Sequence, residues 1–180
     1  MIDLPQHYKV HDQHYAHFVT STVVHWIPVF CREDYFAVLV DSLKHCIDNR
    51  SLRIHAYVLM PNHFHLICSQ AEGDLSGVMR DLKRFTSRQI STMLESDGRL
   101  TWLRAMRRSA DGEANTRVWD EAFHPVQLHS EKFFRQRFDY LHANPVRAGY
   151  VSNPCDWRYS SAAAYRADGE SLIPLSPAEW

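Results

Sequence analysis

Leu52-Arg-Ile-His-Ala-Tyr-Val-Leu-Met-Pro-Asn-His-Phe-His-Leu-Ile-Cys68 reads as two strands joined by a tight turn. Leu52 to Leu59 and Phe64 to Cys68 are rich in branched and aromatic residues, and Met60-Pro61-Asn62 between them carries turn chemistry. An antiparallel hairpin follows. A strand has a period of two, so His63 and His65 share one face while Phe64 points into the core on the other.

Outward from this hairpin the elements alternate. Tyr15 to Val24 is a first strand, stopped by Trp26-Ile27-Pro28, and Arg32 to Asn49 is an amphipathic helix on Phe36, Leu39, Val40, Leu43 and Ile47, with Glu33 and Asp34 at its start. After the hairpin, Asp74-Leu75-Ser76 opens a second helix whose Leu75, Val78, Met79, Leu82, Phe85, Ile90 and Met93 are expected inside and whose basic residues are expected outside. Asp97 to Asn115 lacks periodicity and is expected to be a mobile connection with one helical turn at Trp102 to Met106. Arg117 to Leu128 is a fourth strand candidate. Ser130 then caps a helix carrying Phe133, Phe134, Phe138, Tyr140 and Leu141, expected to end near Asn144-Pro145. The order predicts an α+β fold, a ferredoxin-like split βαβ sandwich with an antiparallel sheet, helices on one face and an appended tyrosine-bearing helix. A single domain over residues 1–180 is expected, its core at about 14–150 and a tail at 151–180.

The chain has 180 residues, 45% hydrophobic and 23% charged, an ordinary globular balance without a membrane span. Met1-Ile2-Asp3-Leu4-Pro5 has no secretory pattern, so a cytoplasmic location is expected. Cys31, Cys46, Cys68 and Cys155 form no C-x-x-C pair and are expected as reduced, mostly buried thiols. Net charge is −1, yet Ser76 to Arg108 holds eight Lys or Arg against three acids. Arg80, Lys83, Arg84 and Arg88 on that helix are candidate phosphate contacts, the alternative being a merely solvated basic face.

The chemistry centres on three places. His63 and His65 are half of a divalent metal site, although an isolated His-x-His in a chain with twelve histidines also reads as unrelated surface residues. A third ligand must come from elsewhere, and Asn144 is the candidate. It lies one helical turn after Tyr140, so the phenol and the amide oxygen share a face. Tyr140 is the candidate nucleophile, against the reading of a half-buried surface aromatic. Asn144 reads equally as a helix terminator before Pro145. His55 and Tyr57 share the parity of a surface face, and His142 points away from Tyr140, so none joins the site. Trp157 reads as a packing anchor.

Four segments resemble, in order and spacing, the single-tyrosine HUH transposases, and within them the REP-associated group. They are Tyr57-Val-Leu-Met-Pro-Asn-His-Phe-His-Leu-Ile67, Met79-Arg-Asp-Leu-Lys-Arg-Phe-Thr-Ser87, Asp139-Tyr-Leu-His-Ala-Asn-Pro-Val-Arg-Ala-Gly149 and Pro154-Cys-Asp-Trp-Arg-Tyr-Ser-Ser161. The resemblance implies a ferredoxin-like domain that binds single-stranded or hairpin DNA and nicks and rejoins it with Mg or Mn. His63, His65 and Asn144 would hold the metal, and Tyr140 would form a 5′-phosphotyrosine. Some relatives place glutamine where Asn144 stands. The resemblance favours a monomer, with a homodimer as the alternative. Two rival readings are a DNA-binding regulator that kept the fold and lost the chemistry, and a cupin-like metalloenzyme.

Overall fold

In the computed structural model, residues 15–70, 74–108, 116–121, 123–166 and 169–178 are described. The hairpin forms as read, with β2 (Leu52–Met60) antiparallel to β3 (His63–Gln70). β3 also pairs antiparallel with β1 (His17–Thr22), which pairs in turn with β4 (Val126–Gln127), giving the sheet order β2-β3-β1-β4. Between β1 and β2 runs α1 (Glu33–Arg50), and after β3 runs α2 (Leu75–Ser96). This is the split βαβ order, in which each helix connects two strands that a third separates.

One face of the sheet packs α1 and α2 around Tyr57, Leu59, Phe64, Leu66, Leu39, Leu43 and Leu82. The other face carries Phe18, Ala56, Val58, Met60 and Ile67, covered by α4 (Glu131–Arg147) through Leu141, Phe133, Phe134 and Phe138. The tyrosine-bearing helix thus occupies the face that a plain ferredoxin-like sandwich leaves open. Among the described residues no helix is long and apolar enough to cross a membrane. Cys46 and Cys68 are buried, Cys155 is half-buried and Cys31 is exposed, all as free thiols.

Several expectations are corrected. His55 and Tyr57 are buried, not on a surface face. A bulge between Ile54 and Ala56 switches the parity of β2, so Ile54 and Tyr57 both face α1 and α2. The tail closes over them: Ser176 N–H donates to the Ile54 carbonyl at 2.8 Å, and Tyr57 Oη lies 3.1 Å from Ser171 Oγ. On α2, Phe85 is exposed and Thr86 takes the inward place, accepting from Trp119 Nε1 at 2.8 Å. The connection after α2 holds a full helix, α3 (Leu100–Arg108), because Leu103 and Met106, three apart, both bury. Residues 109–115 of that expected mobile connection lie outside the described residues.

The fourth strand is far shorter than expected. Trp119 bridges Val23, and Val126 pairs with Phe18. Five positions separate Phe18 from Val23 while seven separate Trp119 from Val126, so the chain must leave the sheet between the two pairings, and Pro125 there has no N–H for a ladder.

The last helix does not end at Pro145 but runs on to Arg147. Proline leaves the Leu141 carbonyl without its helical donor. Asn144 Nδ2 fills that place at 3.2 Å, and also donates to the Tyr140 carbonyl at 2.9 Å. The stop comes at Gly149, φ +75°, where Gly149 N–H donates to the Val146 carbonyl and Tyr150 N–H to that of Pro145. These two bonds and the left-handed residue are a Schellman cap.

The tail also locks α4 to the sheet. Buried Ser161 Oγ accepts from Tyr57 N–H at 2.9 Å and lies 2.8 Å from His142 Nε2. His142 thereby ties α4 to the tail. Ser161→Ala should orphan both groups and lower stability by about 1–3 kcal/mol, read as an earlier urea midpoint with an unchanged slope. A midpoint like that of the unaltered chain would remove this tether.

Candidate active site

β3 and α4 bring the expected residues together. His65 is buried and His63 half-buried, their rings 4.9 Å apart on the α4 face of β3. The Tyr140 ring lies 5.7 Å from that of His65 and 6.1 Å from that of Phe18. All these residues belong to one chain.

Each imidazole is oriented by its Nδ1. His63 Nδ1–H donates to Asn62 Oδ1 at 2.7 Å, and His65 Nδ1 is 2.8 Å from Thr20 Oγ1. With Nδ1–H of His63 so engaged, its Nε2 is the nitrogen left for a metal, and the same holds for His65 in the tautomer whose Nδ1–H donates to Thr20 Oγ1. Burial pushes His65 down to about 3, and the charges of His63 and Arg137 act in the same direction. Burial also lowers His63, while a hydrogen bond with the Asn144 side chain acts the other way. Both rings are therefore neutral at physiological pH, the form that coordinates metal.

Asn144 is the candidate for a third group. Its Nδ2 is committed to the helix carbonyls, so the atom free to meet His63 is Oδ1. Among the described residues no three His, Cys, Asp or Glu side chains gather into a metal site. The donor set here is two imidazoles and an amide oxygen. It is uncharged and incomplete, as a catalytic site with open positions is. Such a set fits a divalent cation whose remaining ligands include phosphate oxygens.

Three features of the site escaped the sequence. Thr20 and Asn62 orient the histidines, and Thr20 becomes visible only once the register sets it opposite His65. Arg147 places its guanidinium 5.1 Å from the centre of the Tyr140 ring. Its signal was present, since Arg147 follows Tyr140 by seven positions and so shares the helix face with Tyr140 and Asn144.

The basic residues do not join this site. Arg80, Lys83, Arg84 and Arg88 line a groove of about 950 Å³ between α2 and a wall that includes Arg117, Trp119, Asp120 and Phe123, and none of His63, His65, Tyr140 and Asn144 lines it. The charge there is partly offset, for Arg84 pairs with Asp81 at 3.2 Å, and Lys83 is held in place by donating from Nζ to the Asp120 carbonyl at 2.5 Å. Asp120 N–H in turn donates to the Thr22 carbonyl, and Thr22 is the register partner of His63. The wall of the groove therefore abuts the end of the sheet where the histidines stand.

The sequence model of the family described as Transposase IS200 like matches residues 10–107, more than half of the chain. The chain belongs to the IS200-like transposase family. The match takes in both site histidines and stops before α4, so within this family the roles of Tyr140 and Asn144 rest on their geometry. A REP-associated tyrosine transposase of Escherichia coli (strain K12) is 26% identical over 153 residues, covering 83% of this chain and 77% of the relative. A solved REP-associated tyrosine transposase bound to a REP hairpin superposes with a TM-score of 0.66 at 20% identity, covering 100% of this chain and 98% of that one. That likeness shows a shared fold.

Proposed function

We propose that this chain nicks and rejoins single-stranded or hairpin DNA, with Tyr140 as nucleophile and His63, His65 and Asn144 as ligands of Mg or Mn. The observation that supports it most is the row of His63, His65 and Tyr140 rings with Asn144 one turn beyond the tyrosine on the same helix face. A divalent ion held there supplies charge neutralisation at the scissile phosphate.

The residues do the rest. Tyr140 Oη attacks phosphorus, the bond to the 3′-oxygen breaks, and the phenolic proton ends on the released 3′-hydroxyl. A phosphodiester is exchanged for a tyrosyl phosphodiester, so the 3′-hydroxyl can reverse the step without ATP. Arg147 lies over the ring, and α4 packs the ring where it can reach a phosphate beside the histidines.

The test is formation of a denaturant-stable adduct between the chain and a labelled single-stranded hairpin oligonucleotide, dependent on Mg or Mn. Binding without any adduct would instead support a DNA-binding regulator that no longer cuts.

Arg80, Arg84 and Arg88 in the groove would track the DNA backbone, while Lys83 is already held by Asp120. Changing these three arginines to glutamine should weaken all DNA sequences alike and reduce the salt slope by up to about 2, at about 0.7 per single-strand phosphate contact. Fluorescence anisotropy across a salt series reads this directly, and an unchanged slope would make the groove an ordinary solvated face.

A further inference from the structure

Trp26 is 62% exposed, the most exposed large hydrophobic among the described residues. Apolar burial therefore does not account for where it sits. The backbone makes the position costlier still: His25 and Trp26 both adopt φ +56°, two successive bulky residues in the left-handed region. Local bonds impose this, with Trp26 N–H donating to the Val23 carbonyl at 3.0 Å and Asn62 Nδ2 donating to the Trp26 carbonyl at 3.4 Å. Backbone held in such a conformation is a feature of working sites.

The location says what the work is. The indole meets the His63 ring at 5.7 Å in a T-shaped contact, while Tyr140 packs against His65 and Phe18. Along β3, Trp26 and Tyr140 thus lie at opposite ends of the histidine pair. In phosphoryl transfer the attacking and leaving oxygens are roughly in line. With Tyr140 at one end, the 3′-oxygen departs toward the other, where the indole stands.

Resting on the proposed cleavage reading, we propose that Trp26 is a stacking platform for the base on the 5′ side of the scissile phosphate. It would hold the strand end bearing the 3′-hydroxyl in place for rejoining. Stacking suits the site because every base has a π-face and an exposed indole offers a large one.

The experiment measures binding in EDTA, which separates it from metal use and from cleavage. The probes are labelled dT20 and an abasic strand of the same length. Trp26→Ala should weaken dT20 by about 5- to 150-fold, leave the abasic strand unaffected, and be restored largely by Trp26→Phe. Equal losses on both strands, no loss on either, or no measurable wild-type binding of dT20 would overturn the platform. So would a change confined to Mn affinity by calorimetry, which would make the ring a cover for His63. On an oligonucleotide that the wild type cuts, one abasic position just 5′ of the cut should reproduce the loss, and the same lesion 3′ of the cut should not. The reverse pattern overturns the assignment of side. Absence of any covalent adduct with wild-type protein, by contrast, would sink the cleavage reading and leave the dT20 result standing.

Discussion

Tyr140→Phe should abolish the covalent adduct and lower strand cleavage by about a thousandfold or more, with DNA affinity changed less than about twofold. The phenolic oxygen is the only atom removed. The ring keeps its contacts with Phe18, His65 and the Arg147 guanidinium, and Tyr140 as a whole is 36% exposed. Stability should therefore stay within about 0.5 kcal/mol. Tyr150→Phe is the matched control, since Tyr150 is 52% exposed and packs on Trp157. An adduct that persists in Tyr140→Phe would move the nucleophile elsewhere.

The hairpin was legible because its two strands carry their apolar residues in runs and its turn carries proline and asparagine, all local properties. α1, α2 and the capped start of α4 were legible for the same reason, with Ser130 Oγ accepting from Phe133 N–H at 3.3 Å as its position implied. What stayed hidden depends on distant chain. The bulge at His55 cannot be seen in a parity count, which assumes an unbroken pleat, and the tail that buries His55 and Tyr57 arrives more than a hundred residues later. The two-residue β4 depends on how the excursion from Trp119 to Val126 matches β1, a property of the pairing and not of the segment.

The site was legible in its spacing and not in its orientation. Two residues apart on a strand and four apart on a helix fix which side chains share a face, so His63 with His65 and Tyr140 with Asn144 could be paired from sequence. Nothing in those spacings says that α4 covers the sheet face bearing the histidines. That follows from Leu141 and the α4 phenylalanines matching Phe18, Ala56, Val58 and Ile67. Asn144 keeps both readings open, since its Nδ2 is used on the helix carbonyls and its Oδ1 is left for another partner.

Asn144 therefore gives the sharpest mutants. Nδ2 repairs the helix at Pro145 and Oδ1 is the atom left to meet His63, so the two functions can be removed separately. Asn144→Asp deletes the donor and sets a charge beside the Tyr140 and Leu141 carbonyls, which should lower stability by about 1–3 kcal/mol. The same change adds the first negative charge to a neutral donor set. Mn affinity in the absence of DNA should therefore rise by about tenfold or more, since two imidazoles and an amide leave the ion's charge uncompensated until phosphate binds. Asn144→Leu loses both ends, so it should be destabilised to a similar extent and also lose metal-supported adduct formation by about a hundredfold, the scale on which ligand-shell changes act. Urea midpoints read the first function and calorimetry with Mn reads the second. If Asn144→Asp and Asn144→Leu lose stability alike while Mn affinity and adduct yield per folded molecule stay at the wild-type level, Asn144 only repairs the helix, and the metal is held by the two histidines and the DNA alone.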